Sequence, residues 1–147
     1  MAGINKEGGC VCGALRYRVR GTPFRTTACH CTMCQKRTGS AFGIGAYFKD
    51  EEIEFLRGER KTFELRSDAS GRWLRFEFCP NCGTQVTWTL EAMPGLRAVG
   101  LGTFDDPKWL TPNRFGWFGS GHPWVKVPEG VEVFEKSSLP PPTRPSR

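Results

Sequence analysis

Cys29, Cys31 and Cys34 crowd the stretch TACHCTMCQKRTGSAFG, residues 27–43. Thiolates so closely spaced chelate a soft metal. A structural zinc takes four protein ligands, whereas a catalytic zinc takes three and keeps one position exchangeable. The triad is one ligand short of a closed site, and water, a substrate atom or a histidine can complete it. Only two histidines exist. His30 lies between two ligands, and in an extended C-x-C its side chain should point away from the metal. His122, in GSGHPWV, could reach back and close the site.

The other four cysteines form two groups with a shared pattern. CVCGALRY and CPNCGTQVTW each place glycine after the last cysteine and then run into an alternating segment. A glycine there can take positive φ, turning amides toward the sulfur and letting the chain leave as a strand. These read as two zinc knuckles facing one another, giving an all-thiolate structural site of Cys10, Cys12, Cys79 and Cys82. Seven cysteines, an odd number in C-x-C and C-x-x-C groups, are a poor disulfide inventory and a good metal one.

The elements that must carry these groups read as strands. ALRYRVRG sets Leu15, Tyr17 and Val19 against Arg16, Arg18 and Arg20; RWLRFEFC and TQVTWTL alternate likewise around the second C-x-x-C. EEIEFLRG and KTFELRS read as a hairpin turning near Gly58, with Ile53 and Phe55 on one face and Phe63 and Leu65 on another. LRAVGLGTF and HPWVKV read as two further strands, and the loop DDPKWLTPNR between them has room for one helical turn. A short turn of helix is expected from Cys34 through Arg37, ended by Gly39. The fold class is therefore mainly β with short helical turns.

A chain of 147 residues fits one domain, expected over residues 1–136, with a flexible Pro-rich tail at 137–147. Neither an apolar leader nor a run of about 20 apolar residues occurs, so a cytoplasmic protein that does not enter membranes is expected. The formal net charge of +6 invites an anionic partner, but metal binding strips thiol protons and roughly halves that excess.

The segments GGCVCGALRY, CHCTMCQKRTGSAFG, FCPNCGTQV, VGLGTFDDP and HPWVKV, in this order, resemble the glutathione-dependent formaldehyde-activating enzyme family, which includes centromere protein V. The resemblance implies a β-tent zinc fold with two zinc ions per chain. It implies the same partition of ligands, with Cys29, Cys31 and Cys34 at the reactive zinc, and a carbon-sulfur lyase that joins glutathione to formaldehyde as S-hydroxymethylglutathione. A thiol entering the open position would become a zinc thiolate beside the carbonyl. Arg37, Lys36 and Arg114 could receive glutathione's carboxylates, and Ser40 could bond a ligand sulfur or carboxylate. His30 could shuttle a proton or be a solvated residue, and Trp88 and Trp124 could wall a pocket or fill the core. The competing reading is a zinc-stabilised module binding nucleic acid or protein. The basic strand RYRVR motivates it, and the shortage of helix for major-groove reading makes nucleic acid the poorer partner. Oligomeric state has no signature here.

Overall fold

The computed structural model describes residues 4–68 and 70–137. In chain order the elements are β1 (Asn5–Gly9), β2 (Arg16–Arg20), β3 (Arg25–Cys29), α1 (Thr32–Thr38), β4 (Gly43–Lys49), β5 (Ile53–Arg57), β6 (Lys61–Arg66), β7 (Trp73–Phe78), β8 (Gln85–Leu90), β9 (Leu96–Gly100), β10 (Arg114–Gly116) and β11 (Glu132–Val133). They form two sheets. The smaller runs β1-β2-β5 and the larger β11-β10-β3-β4-β9-β8-β7-β6. The architecture is mainly β, as expected from the alternation, and the segment from residue 138 onward lies outside the described residues.

Alternation in β2 does what it promised. Leu15, Tyr17 and Val19 are fully buried, and join Ala46, Phe48, Ile53, Val86, Val99 and Phe104 in a core that ties the small sheet to the large one. Burial of each such side chain is worth about 1.5–3 kcal/mol. The opposite face of β2 is ionic: Arg16 meets Asp105 at 2.6 Å, Arg18 meets Glu7 at 3.0 Å and Arg20 meets Glu54 at 3.1 Å. A second buried cluster of Phe76, Trp88, Leu90, Met93 and Ala98 lies along β7, β8 and β9, with Met33 of α1 packed against it.

The predicted hairpin of residues 51–67 does not form. β5 pairs with β2 in the small sheet, while β6 pairs with β7 at the edge of the large one. Gly58, at φ +93°, turns the chain between sheets where a Cβ would stand 2.2 Å from the Ala14 carbonyl oxygen. On that edge Phe63 is exposed and Leu65 half-buried. HPWVKV is not a strand either: the Val125 N–H closes a turn onto the His122 carbonyl, and Trp124 is exposed. Of LRAVGLGTF only Leu96–Gly100 is strand, and the rest enters a 3-10 turn at Leu101–Thr103. The helical turn expected in DDPKWLTPNR occurs at Pro107–Trp109, where the Asp106 side chain accepts the Lys108 N–H.

Candidate metal centres and the cavity beside them

The first group assembles as its glycines foretold. Gly13 and Gly83 take φ of +81° and +79°, with nothing within 4 Å of where a Cβ would stand, so positive φ is what reserves both positions for glycine. The Leu15 N–H points at Cys10 Sγ at 3.2 Å. Cys10 Sγ is 3.5 Å from Cys12 Sγ, which is 3.7 Å from Cys79 Sγ, and all four sulfurs, Cys82 included, lie within 4.8 Å of one another. Zn–S bonds of about 2.3 Å in a tetrahedron place sulfurs about 3.8 Å apart, so this donor set fits zinc. Thr84 stitches the knuckles together: its hydroxyl accepts the Val11 N–H at 3.2 Å and lies 3.2 Å from Cys82 Sγ. The Thr84 hydroxyl and amide hold the Cys82 thiol down to about 5.

The second group sits where β3 runs into α1. Cys29 ends the strand, Cys31 is the N-cap residue whose sulfur accepts the Cys34 N–H at 3.2 Å, and Cys34 is buried in the first turn. Gly39 closes the helix at φ 68°. The helix starts at Thr32 rather than Cys34, because its N-cap is one of the metal-ligand candidates. The three sulfurs lie within 4.8 Å of one another, and among the described residues no fourth Cys, His, Asp or Glu ligand atom joins them. Hydrogen bonds from Cys29 and Cys34 hold Cys31 down to about 3, while the same crowding, added to burial, pushes Cys29 far above the ordinary thiol range. Only a cation lets all three carry negative charge together, so this donor set also fits a thiophilic metal.

Neither histidine is in the group. His30 is fully buried between the rings of Phe42, Phe115 and Phe118 at 4.8–5.2 Å, with both ring nitrogens unpartnered, so it is not a solvated residue. Burial, and then the nearby His122, lower its pKa. His122 Nε2 is 2.8 Å from Gln35 Oε1, and Gln35 Nε2 donates to the carbonyls of His30 and Ser120 at 2.8 and 3.0 Å. Gln35 thereby latches the 117–122 loop onto the start of α1.

The triad opens into a cavity of about 880 Å³, whose lining includes Tyr47, Phe76, Trp88 and Trp117. Arg37 lines it too. Its Nη1 donates to Gln85 Oε1 at 2.8 Å, its Nη2 is 3.8 Å from Cys34 Sγ, and its guanidinium lies over the rings of Trp88 and Phe76 at 4.6 and 4.7 Å. Ser40 is exposed and lines a second hollow, which shares Arg37, Gly43 and Trp88 with the first; its N–H bonds the Thr38 hydroxyl. Lys36 is exposed on α1, Arg114 reaches Glu132 at 3.5 Å and lies over Phe134, and Trp124 is outside the cavity lining. Sequence reasoning missed Tyr47, Trp117 and Gly45. Tyr47 is half-buried beside the triad, and desolvation, followed by the neighbouring Cys29, keeps its phenol protonated far above the ordinary range. Trp117 is the sole non-glycine residue at positive φ among those described, at 54°. Gly45 leaves room for the Trp88 ring, which a Cβ would meet at 2.7 Å. The aromatic content of AFGIGAYF was the available signal for Tyr47.

Among the described residues no helix is long and apolar enough to cross a membrane. A crystal structure of a Rhodobacter sphaeroides protein is similar with a TM-score of 0.55 and 19% sequence identity, covering 74% of this chain and 98% of that one, a likeness of fold. Residues 5–120 match the sequence model of the glutathione-dependent formaldehyde-activating enzyme family. With two cysteine groups able to hold metal and most of its length matched, the chain belongs to the glutathione-dependent formaldehyde-activating enzyme family.

Proposed function

We propose that this protein is a zinc-dependent carbon-sulfur lyase or synthase that joins glutathione, or a thiol like it, to formaldehyde or another small aldehyde. The observation that carries the reading is the contrast between the two sulfur groups. Three sulfurs with no fourth side-chain donor among the described residues open into a cavity, while the four-sulfur group lies outside its lining. Four ligands suit a structural metal and three suit a reactive one. In this reading Cys10, Cys12, Cys79 and Cys82 hold a structural zinc, and Cys29, Cys31 and Cys34 hold the second. Residues 1–136 form one zinc-binding domain, working in the cytoplasm, where thiols stay reduced.

When bound, the second zinc supplies Lewis acidity, lowering the pKa of an incoming thiol and drawing electron density from the carbonyl. The chain's own groups do the rest. The new bond joins the thiol sulfur to the carbonyl carbon, the π pair moves onto oxygen, and that oxygen takes up the proton the thiol released. Tyr47 Oη, kept protonated by burial, can donate to the oxygen as it gains charge. Arg37, already directed at Cys34, offers donors to the same end of the cavity or to a substrate carboxylate. Phe76 and Trp88 hold the guanidinium in place and keep water from that wall. Ser40 serves a substrate carboxylate only if the substrate extends into the second hollow.

The arginines of β2 are already met by Asp105, Glu7 and Glu54, which counts against a nucleic-acid-binding module. The deciding experiment is the absorption spectrum of the cobalt-substituted protein with and without glutathione. A gain in sulfur-to-cobalt charge transfer equal to one thiolate supports the reading. An unchanged spectrum overturns it.

A further inference from the structure

The cavity is larger and more apolar than formaldehyde requires. Formaldehyde has two heavy atoms and fills about the room of one or two water molecules, roughly 30–60 Å³. The cavity, at about 880 Å³, stands near the upper end of the range that encloses drug-sized ligands. Glutathione brings amides and carboxylates, which need hydrogen-bonding partners. Part of the wall has none to give. Cross-strand pairing sets Leu65 opposite Leu74 and Leu74 opposite Leu90, so three leucines form a continuous row across β6, β7 and β8. Beside that row Phe76 stands opposite Trp88, and Met33 packs in from α1. All six side chains line the cavity that holds the three sulfurs.

Leu65 and Leu74 are only half-buried within the chain itself. An apolar row beside reactive sulfurs gains from being covered, and a polar group laid on it would lose water without finding a substitute. We propose that the carbonyl substrate carries a hydrocarbon body, an alkyl chain of several carbons or an aromatic ring, which lies along the Leu65–Leu74–Leu90 row. The proposal rests on the thiol-aldehyde reading and names the class of aldehyde. The carbon-sulfur bond forms and the proton moves from thiol to carbonyl oxygen as before. Nothing is oxidised or reduced, so no further reactant is needed. The hydrocarbon body takes no part in bond making; it displaces water and holds the adduct against the wall.

The test is calorimetric titration of the zinc-loaded protein with two inert thioethers that mimic the adduct, S-hexylglutathione and S-methylglutathione. The hexyl compound should bind at least about tenfold more tightly, since a single methylene in a fitted apolar pocket is already worth about that factor. Leu74→Ser should narrow the ratio, and Leu65→Ser provides the same comparison should the first variant fail to fold. Equal affinity for the two thioethers overturns the proposal and leaves the thiol-aldehyde reading standing. Failure of both to bind also overturns the proposal, because the leucine row then holds no hydrocarbon. The thiol-aldehyde reading stands or falls separately on the cobalt spectrum with glutathione, since a thioether has no thiol proton to lose to the metal.

Discussion

Arg37 points its Nη2 at Cys34 Sγ from 3.8 Å while its Nη1 donates to Gln85 Oε1 at 2.8 Å. Gln85 directly follows Thr84, whose hydroxyl contacts Cys82 and the Val11 N–H of the first knuckle. The two sulfur groups are thus joined by one short line of polar contacts. Arg37→Met should preserve the fold and cost about 0.5–2 kcal/mol in urea unfolding through the lost ring contacts. If Arg37 bonds the substrate, glutathione affinity measured by calorimetry should also fall about tenfold or more, the size of one charge-assisted hydrogen bond.

Cys82→Ser and Cys34→Ser should part company. The first breaks a four-sulfur group that fastens the start of β2 to the β7–β8 turn, and a structural zinc contributes about 10–16 kcal/mol, as much as an entire domain's stability. The second leaves that group intact. Circular dichroism melts should show an unfolded or strongly destabilised Cys82→Ser and a near-native Cys34→Ser that binds one metal equivalent fewer. Equal loss of structure in the two would refute the division of labour.

Gly45→Ala tests the cavity wall. Its Cβ would meet Trp88 Cζ2 at 2.7 Å, and an indole locked between Phe76 and Arg37 cannot yield without moving both. A destabilisation of about 1–3 kcal/mol is expected from overpacking, read by urea denaturation. The near-UV dichroism should change with it.

How much was legible follows from how local each signal is. Chelating spacings are contained in a few residues, so all seven cysteines fell into their groups from the sequence. β2 was legible because one face is buried and the other ionic. β3 and β4, which carry Cys29 and Tyr47, were not. RTTAC and GIGAYFK sit near the middle of the large sheet and are buried without alternation, and glycine erases the strand signal at Gly43 and Gly45. The hairpin was misread because alternation announces a strand and says nothing of its partner. Of the cavity wall the sequence offered Trp88, which lines it, and Trp124, which does not; the leucine row was invisible, because Leu65, Leu74 and Leu90 become neighbours only through pairing of three strands.

Tyr17 gives a prediction at alkaline pH. It is fully buried, its hydroxyl is 2.8 Å from Thr103 Oγ1, and burial first of all raises its pKa far above the ordinary phenol value of 10.0. Above pH 10 the unfolded chain releases a proton that the folded chain retains. Stability is therefore fully present below pH 10 and falls as pH rises, with a slope approaching about 1.4 kcal/mol per pH unit for this group. Tyr17→Phe should lose about 1 kcal/mol near neutrality with its hydrogen bond, and show a shallower alkaline decline in urea midpoints.

The four-sulfur group also dictates an order of events during synthesis. Cys12 and Cys79 are 67 positions apart, so the first knuckle leaves the ribosome long before its counterpart. At about 5–20 residues per second that interval is on the order of several seconds. Throughout it Cys10 and Cys12 are a bare thiol pair, open to stray metals and oxidants. The triad of Cys29, Cys31 and Cys34 emerges within the same interval, ahead of Cys79 and Cys82. The newborn chain thus displays the triad before the four-sulfur group can close. With zinc as that group's metal, as proposed above, a cell starved of zinc would lose this protein at birth rather than in service.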